Sequence, residues 1–137
     1  DHLGRLQLAD LALDTFPFTS HTTASDALWA CVPLVSLQGD TFVSRVAASL
    51  LQSAGLPELV THSQEEYFDR ALGLALAPDK LASIKKQLAH RRIAGQLFNS
   101  AEFTRSLEHL YVRMWDDHSA GVRKPLAQTH ASPKKMN

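Results

Sequence analysis

The chain has 137 residues, 45% of them hydrophobic and 20% charged, which suits one compact folded domain and excludes a disordered or collagen-like chain. Fourteen Lys and Arg balance fourteen Asp and Glu, so bulk charge offers no pull toward nucleic acid or an anionic membrane surface. No apolar run approaches the roughly 20 residues of a membrane span, and the single cysteine, Cys31, cannot form an internal disulfide, so a reducing, cytoplasmic setting is expected.

A short helical stretch through Leu8 opens the chain. Three strands are expected after it, Asp10 to Asp14, Pro33 to Leu37 and Glu58 to Thr61, each leading into a helix. The first strand breaks off at Pro17 and gives way to a hydroxyl-rich helix start, Thr19 to Thr23. In a helix numbered from Thr22, Ala24, Ala27, Leu28 and Cys31 fall on one side and Thr22, Asp26 and Trp29 on the other. The second helix is expected from about Phe42 to Ala54, with an apolar stripe of Val43, Val46, Ala47, Leu50 and Ala54 and Gly55 to stop it. Strand and helix alternating at this spacing imply right-handed crossovers and a parallel sheet.

The second half is helical. Ser63 and Glu66 form a capping box for a helix to about Leu76, and Pro78 and Asp79 start another that runs to about Ala94 on the buried side chains Leu81, Ile84 and Leu88. A longer helix begins near Ser100 and carries Phe103, Leu107, Leu110, Tyr111, Met114 and Trp115 on one face, expected to be core or interdomain packing; Gly121 ends it. Residues 122–137 read as a mobile tail. The fold class is therefore α/β, a partial Rossmann-like parallel sheet of about three strands with C-terminal helices. Three strands are few, and the first looks internal, so its open edge or the Trp115 face is expected to be covered, by self-association or by strands of a larger protein.

The turn after the first strand is where such sheets bind ligands, and a helix start there offers unpaired amides and the positive end of the dipole to a phosphate. His21 could donate to a phosphate oxygen, Thr22 and Thr23 supply further donors, and Asp26, one turn on, is placed to accept a ribose hydroxyl. The same residues read equally as a helix cap (Thr22), a first-turn acid favoured by the dipole (Asp26) and a loop residue (His21). Gln38 to Thr41 repeats the strand-to-helix geometry, with Gly39 allowing a tight turn and Thr41 placed to cap, and Arg45 could approach an anion. The cluster Lys85, Lys86, His90, Arg91 and Arg92 reads as a solvated helix face, since no aromatic platform is interleaved with it. The seven histidines show no metal-ligand spacing, so no metal site is expected.

The segments LADLALDTFPF, HTTASDALWACVPLVSLQGDTFVSRVAASLL, GLPELV and QLFNSAEFTRSLEHLYVRMW, in that order from about Leu6 to Trp115, resemble the C-terminal catalytic part of the protein O-GlcNAc transferase family, in its bacterial branch. The resemblance implies a glycosyltransferase with a two-lobed GT-B fold, residues 1–121 being the C-terminal part of the nucleotide-sugar-binding lobe. It also implies UDP-GlcNAc as donor substrate, protein serine or threonine hydroxyls as acceptors, and neither cofactor nor metal. His21, Thr22 and Thr23 then lie at the diphosphate and Asp26 at the ribose, and no catalytic residue falls in this chain. Ala24 stands where many members have glycine, and Cys31 and Gln38 replace a usual glycine and proline. The family's tetratricopeptide repeats, first catalytic lobe, uracil-contacting segment and phosphate-binding lysine have no counterpart here, so the chain alone is expected to be inactive. The alternatives are a SPINDLY-like protein O-fucosyltransferase using GDP-fucose, which His21 disfavours because those proteins resemble GTTT at this point, and a non-catalytic repeat-protein scaffold.

Overall fold

The computed structural model describes residues 2–122, which fall into two compact units divided between Asn99 and Ser100. The expected tail, but for Val122, lies outside the described residues.

The first unit runs α1 (His2–Leu6), β1 (Ala12–Leu13), α2 (Thr22–Trp29), β2 (Leu34–Leu37), α3 (Val46–Ser53), a 3-10 turn (Pro57–Leu59), β3 (Val60–Thr61), α4 (Gln64–Ala75) and α5 (Pro78–Ala94). The three strands form a parallel sheet in the order β1-β2-β3, in the register Ala12 with Leu34 and Leu37 with Thr61. The α/β class and the parallel sheet are thus as the alternation of apolar segments predicts. β1, however, lies at one edge among the described residues, and Leu13 on it is 58% exposed. Its apolar composition does not reflect an internal position within these residues.

The central strand is buried residue after residue at Leu34, Val35 and Ser36, as a strand covered on both faces must be. Around it the core gathers Ala24 and Leu28 of α2, Ala47 and Leu51 of α3, Leu56, Leu59, Leu74 of α4, and Leu81, Ile84 and Leu88 of α5. The last three are the side expected to be buried. α3 departs from its expectation: it starts at Val46, after a turn closed by Arg45 N–H donating to the Phe42 carbonyl, and buries Ala47, Ala48 and Leu51. Val43 and the Thr41 hydroxyl therefore lie outside the helix, and Arg45 takes the N-cap position without a side-chain cap.

The ends of α3 and α2 share one pattern. After α3, Gly55 N–H donates to the Gln52 carbonyl and Leu56 N–H to the Leu51 carbonyl, with Gly55 at φ +71° and Leu51 and Leu56 both fully buried: a Schellman motif with its apolar contact. After α2 the same bonds run from Cys31 to Leu28 and from Val32 to Ala27, with Cys31 at φ 62°. Cys31 is thus not on the buried face of the helix, as its spacing suggests, but beyond the helix end and half-buried against the core. At the other boundary, Ser63 accepts from Glu66 N–H and begins α4, while the Glu66 carboxylate accepts from His62 N–H.

The second unit contributes α6 (Ser100–Ser119), closed by Gly121 at φ +69°. No residue of α6 is buried, and Phe103, Tyr111, Met114 and Trp115 are each at least 60% exposed, so the aromatic stripe has no core of its own within this unit.

Candidate functional site

β1 ends at Leu13; Asp14 follows it, and a six-residue loop, Thr15 to Ser20, carries the chain to His21 and α2. This loop is held from both sides. The buried Asp14 carboxylate accepts from Thr15 N–H at 2.9 Å, from Ser20 N–H at 2.8 Å and from the Ser36 hydroxyl at 2.5 Å. Thr19, fully buried, donates both its N–H and its hydroxyl to the Val43 carbonyl, at 3.1 and 2.7 Å, and its Oγ1 lies 3.4 Å from the Ala47 amide as acceptor. The loop peptide Phe16-Pro17 is cis. Thr19 is therefore a strut to the next turn and not a donor open to a ligand.

His21 occupies the N-cap position of α2 but makes no side-chain cap bond. Its backbone carbonyl accepts from Ser25 N–H, which leaves the amides of Thr22, Thr23 and Ala24 without an intrahelical acceptor, as in the first turn of any helix. The His21 ring stacks on Phe18 at 5.2 Å between centroids and meets the edge of Phe42 at 6.4 Å. Its Nε2 is buried and has no hydrogen-bond partner. A buried polar atom left in this way costs free energy, about 1–3 kcal/mol, that a bound acceptor would recover. Thr22 and Thr23 are exposed beside it, so Thr22 is a first-turn residue and not the cap that its hydroxyl suggests. One turn on, Asp26 is half-buried, and Oδ2 accepts from His2 Nε2 at 3.1 Å. The structure thus brings His21, Thr22, Thr23 and Asp26 to one helix start at the carboxyl end of a parallel sheet.

Two neighbours escaped the reading of the sequence. His2 meets Asp26 across 24 positions, and no local pattern marks such a contact. Asp14 was visible only as the polar end of an apolar strand. Tyr67 of α4 adds to the second: its hydroxyl donates to the Asp14 carbonyl at 2.8 Å and its ring stands edge-on to Phe16. Burial, and then the nearby Asp14 carboxylate, push the Tyr67 hydroxyl above its ordinary pKa of 10.0.

The basic cluster of α5 lies elsewhere and is only in part a solvated face. Arg92 donates to the Trp29 carbonyl at the end of α2 and lies 5.4 Å over the Trp29 ring, Arg91 reaches the Ala54 carbonyl at the end of α3, and Lys85 bonds the Ala9 carbonyl and Asp10. Cations at helix carboxyl ends satisfy orphan carbonyls and complement the dipole, so Arg91 and Arg92 serve the fold in this way, while Lys85 ties the turn before β1 to α5. Arg45 is exposed at the start of α3. Among the described residues no group of three or more His, Cys, Asp or Glu could hold a metal ion, and no helix is long and apolar enough to cross a membrane.

Comparison with known proteins gives this geometry its setting. Residues 1–107 match the family described as glycosyl transferase family 41. SEC of Arabidopsis thaliana, named as a probable UDP-N-acetylglucosamine-peptide N-acetylglucosaminyltransferase, is 38% identical over 122 residues, 88% of this chain and 12% of its own length. A UDP-N-acetylglucosamine-peptide N-acetylglucosaminyltransferase of Caenorhabditis elegans is 35% identical over 89% of this chain and 11% of its own. A solved structure of a mutant O-GlcNAc transferase from Thermobaculum terrenum superimposes with a TM-score of 0.83 at 40% identity, over 90% of this chain and 24% of that one. The chain therefore spans about one-eighth of the length of these two relatives and about a quarter of the solved chain. With the match to its family model and the shared fold, the chain belongs to glycosyl transferase family 41.

Proposed function

We propose that this chain is part of the C-terminal lobe of a UDP-GlcNAc:protein O-GlcNAc transferase and holds the diphosphate and ribose of the donor. The observation that carries the reading is the unpartnered Nε2 of His21, set beside the free first-turn amides of α2. In the reaction, a serine or threonine hydroxyl attacks the anomeric carbon of GlcNAc as the bond from that carbon to the diphosphate oxygen breaks; the hydroxyl gives up its proton, to water or to the departing phosphate, and negative charge accumulates on UDP. His21 Nε2–H, the hydroxyls of Thr22 and Thr23 and the helix-start amides are donors and dipoles fixed in advance where that charge develops, and need no metal ion to do so. Asp26 accepts a ribose hydroxyl. A carboxylate has two oxygens and about four acceptor sites, so it can hold His2 and the ribose together. The acceptor protein, the base and the sugar are met by other parts of the full enzyme. This chain, whose helix-start side chains His21, Thr22, Thr23 and Asp26 are assigned to the diphosphate and ribose, does not transfer sugar alone.

The name of a SPINDLY relative from Solanum lycopersicum, 34% identical over 88% of this chain, also specifies UDP-N-acetylglucosamine. The GDP-fucose alternative is therefore put to the same test as the scaffold one. In an amide NMR titration of the 137-residue chain, UDP is expected to shift His21 through Asp26 reversibly, with the shifts lost in His21→Ala. An equal response to GDP shows that the cradle reads phosphate and not base. A dispersed spectrum that UDP at millimolar concentration leaves unmoved contradicts nucleotide binding by this segment and favours the scaffold.

A further inference from the structure

Asp14 is 4% exposed, and among the described residues no cationic side chain lies within ion-pair distance of it. A buried carboxylate is tolerable only when its oxygens are satisfied, and here three neutral donors satisfy them. Their placement is specific. Oδ1 takes both Thr15 N–H and Ser20 N–H, the first and last amides of the loop, so a single oxygen closes the loop on itself. Oδ2 takes the Ser36 hydroxyl and so fastens the closed loop to β2, which is the most enclosed strand. The backbone carbonyl of the same residue is held by Tyr67. The residue after Ser20 is His21. The loop is also braced by the Thr15 hydroxyl donating to the Phe18 carbonyl at 2.8 Å, by Phe16 edge-on to Tyr67 and by Phe18 stacked on His21, but among the described residues it is Asp14 that joins its first and last amides and ties them to the sheet. Thr19 supplies the corresponding tie toward α3.

We propose that Asp14 is a positioning residue for the nucleotide site: by clamping Thr15 and Ser20 to Ser36 it sets the place and direction of His21 and of the first-turn amides of α2. This rests on the assignment of His21 to the diphosphate, but only for its effect on binding. Its effect on the loop can be read with no ligand present.

The side-chain chemistry supplies a graded test in the 137-residue chain. Asp14→Ala removes all three bonds. Asp14→Asn keeps an oxygen for Thr15 and Ser20, and its amide can donate to Ser36, whose hydroxyl serves equally as acceptor. Ser36→Ala removes only the anchor to β2. Without ligand, Asp14→Ala and Ser36→Ala are expected to shift the amide resonances of Ser20 to Thr23 and to speed hydrogen exchange at Ser20, while α5 resonances stay in place; Asp14→Asn stays near the parent. With UDP as probe, Asp14→Ala is expected to weaken binding about tenfold, the loss that one charge-assisted hydrogen bond carries, and Asp14→Asn to restore most of it. Unmoved Ser20 and His21 resonances in a folded Asp14→Ala or Ser36→Ala chain overturn the proposal. So does an Asp14→Asn chain as damaged throughout as Asp14→Ala, which would make the carboxylate a general fold element. If Asp14→Ala does not fold, the Ser36→Ala and Asp14→Asn spectra decide in the same terms. If His21→Ala leaves UDP binding intact, the nucleotide assignment fails, and the ligand-free spectra still judge Asp14.

Discussion

Cys31 and Gly55 occupy the same position in the same motif, and exchanging their chemistry should move stability in opposite directions. Both sit two residues past the last residue of a helix, in the left-handed region, at φ 62° and +71°. For a residue with a Cβ that conformation costs roughly 1–2 kcal/mol, and a glycine there avoids it but gives back about 0.4–1 kcal/mol through the greater freedom of the unfolded chain. Cys31→Gly therefore stabilises by about 0.5–1 kcal/mol, reduced slightly by the lost packing of a half-buried side chain. Gly55→Ala incurs the conformational cost and meets a second one, because its Cβ would stand 1.2 Å from Arg91 Nη1. The guanidinium is the end of a flexible side chain and can withdraw, but in doing so it gives up the Ala54 carbonyl. The net loss is about 1–2.5 kcal/mol. For a unit of this size that corresponds to about 4–8 °C per kcal/mol, so thermal unfolding followed by circular dichroism should place the Cys31→Gly midpoint a few degrees above the parent and the Gly55→Ala midpoint below it by a larger interval. A Cys31→Gly chain that melts at or below the parent, or a Gly55→Ala chain that melts with it, refutes the argument from the helix-end conformation.

Two further outcomes follow from contacts on either side of the sheet. Arg92→Ala takes away the donor to the Trp29 carbonyl and the cation over its ring, and is expected to cost about 1 kcal/mol, visible as a lower urea midpoint with unchanged slope; Arg92→Lys should recover little, since an ammonium does not reproduce the planar stacking. For Tyr67, whose hydroxyl is raised in the folded chain, the unfolded state loses its proton first as pH climbs past 10.0, so stability falls with pH from there until the folded chain also ionises. Chemical unfolding measured across that alkaline range should show the decline, and Tyr67→Phe should flatten it; a decline of the same size in Tyr67→Phe removes Tyr67 as its source.

The parts of the structure that were legible in the sequence are those set by neighbours along the chain. The two crossovers followed from apolar segments and their spacing, the start of α4 from the Ser63 and Glu66 pair, and the buried side of α5 from Leu81, Ile84 and Leu88. The helix start that gathers His21, Thr22, Thr23 and Asp26 was legible for the same reason. Errors of detail came where a nearby residue could serve two ends. Helical spacing put Cys31 on a buried face, but the chain had already turned through Leu28 and Ala27 into a Schellman ending. Thr22 has a good capping hydroxyl, yet helical geometry begins one residue after His21. The rest was hidden because it is made by distant residues: Asp14 with Ser36, Thr19 with Val43, His2 with Asp26, and Arg92 with Trp29 are separated by at least 22 positions. The Trp115 stripe carries the periodicity of a packed helix, but periodicity alone does not supply a covering surface, and within its own unit Phe103, Leu110, Tyr111, Met114 and Trp115 are exposed.

The most direct test of the account is a crystal structure of the chain, or of the longer enzyme that contains it, grown with UDP. The account predicts a diphosphate oxygen within hydrogen-bond distance of His21 Nε2, others at the amides of Thr22 and Thr23, and a ribose hydroxyl on Asp26 with Asp14 still joined to Ser20. UDP seated away from the start of α2, or His21 Nε2 still without a partner beside a bound diphosphate, would contradict it.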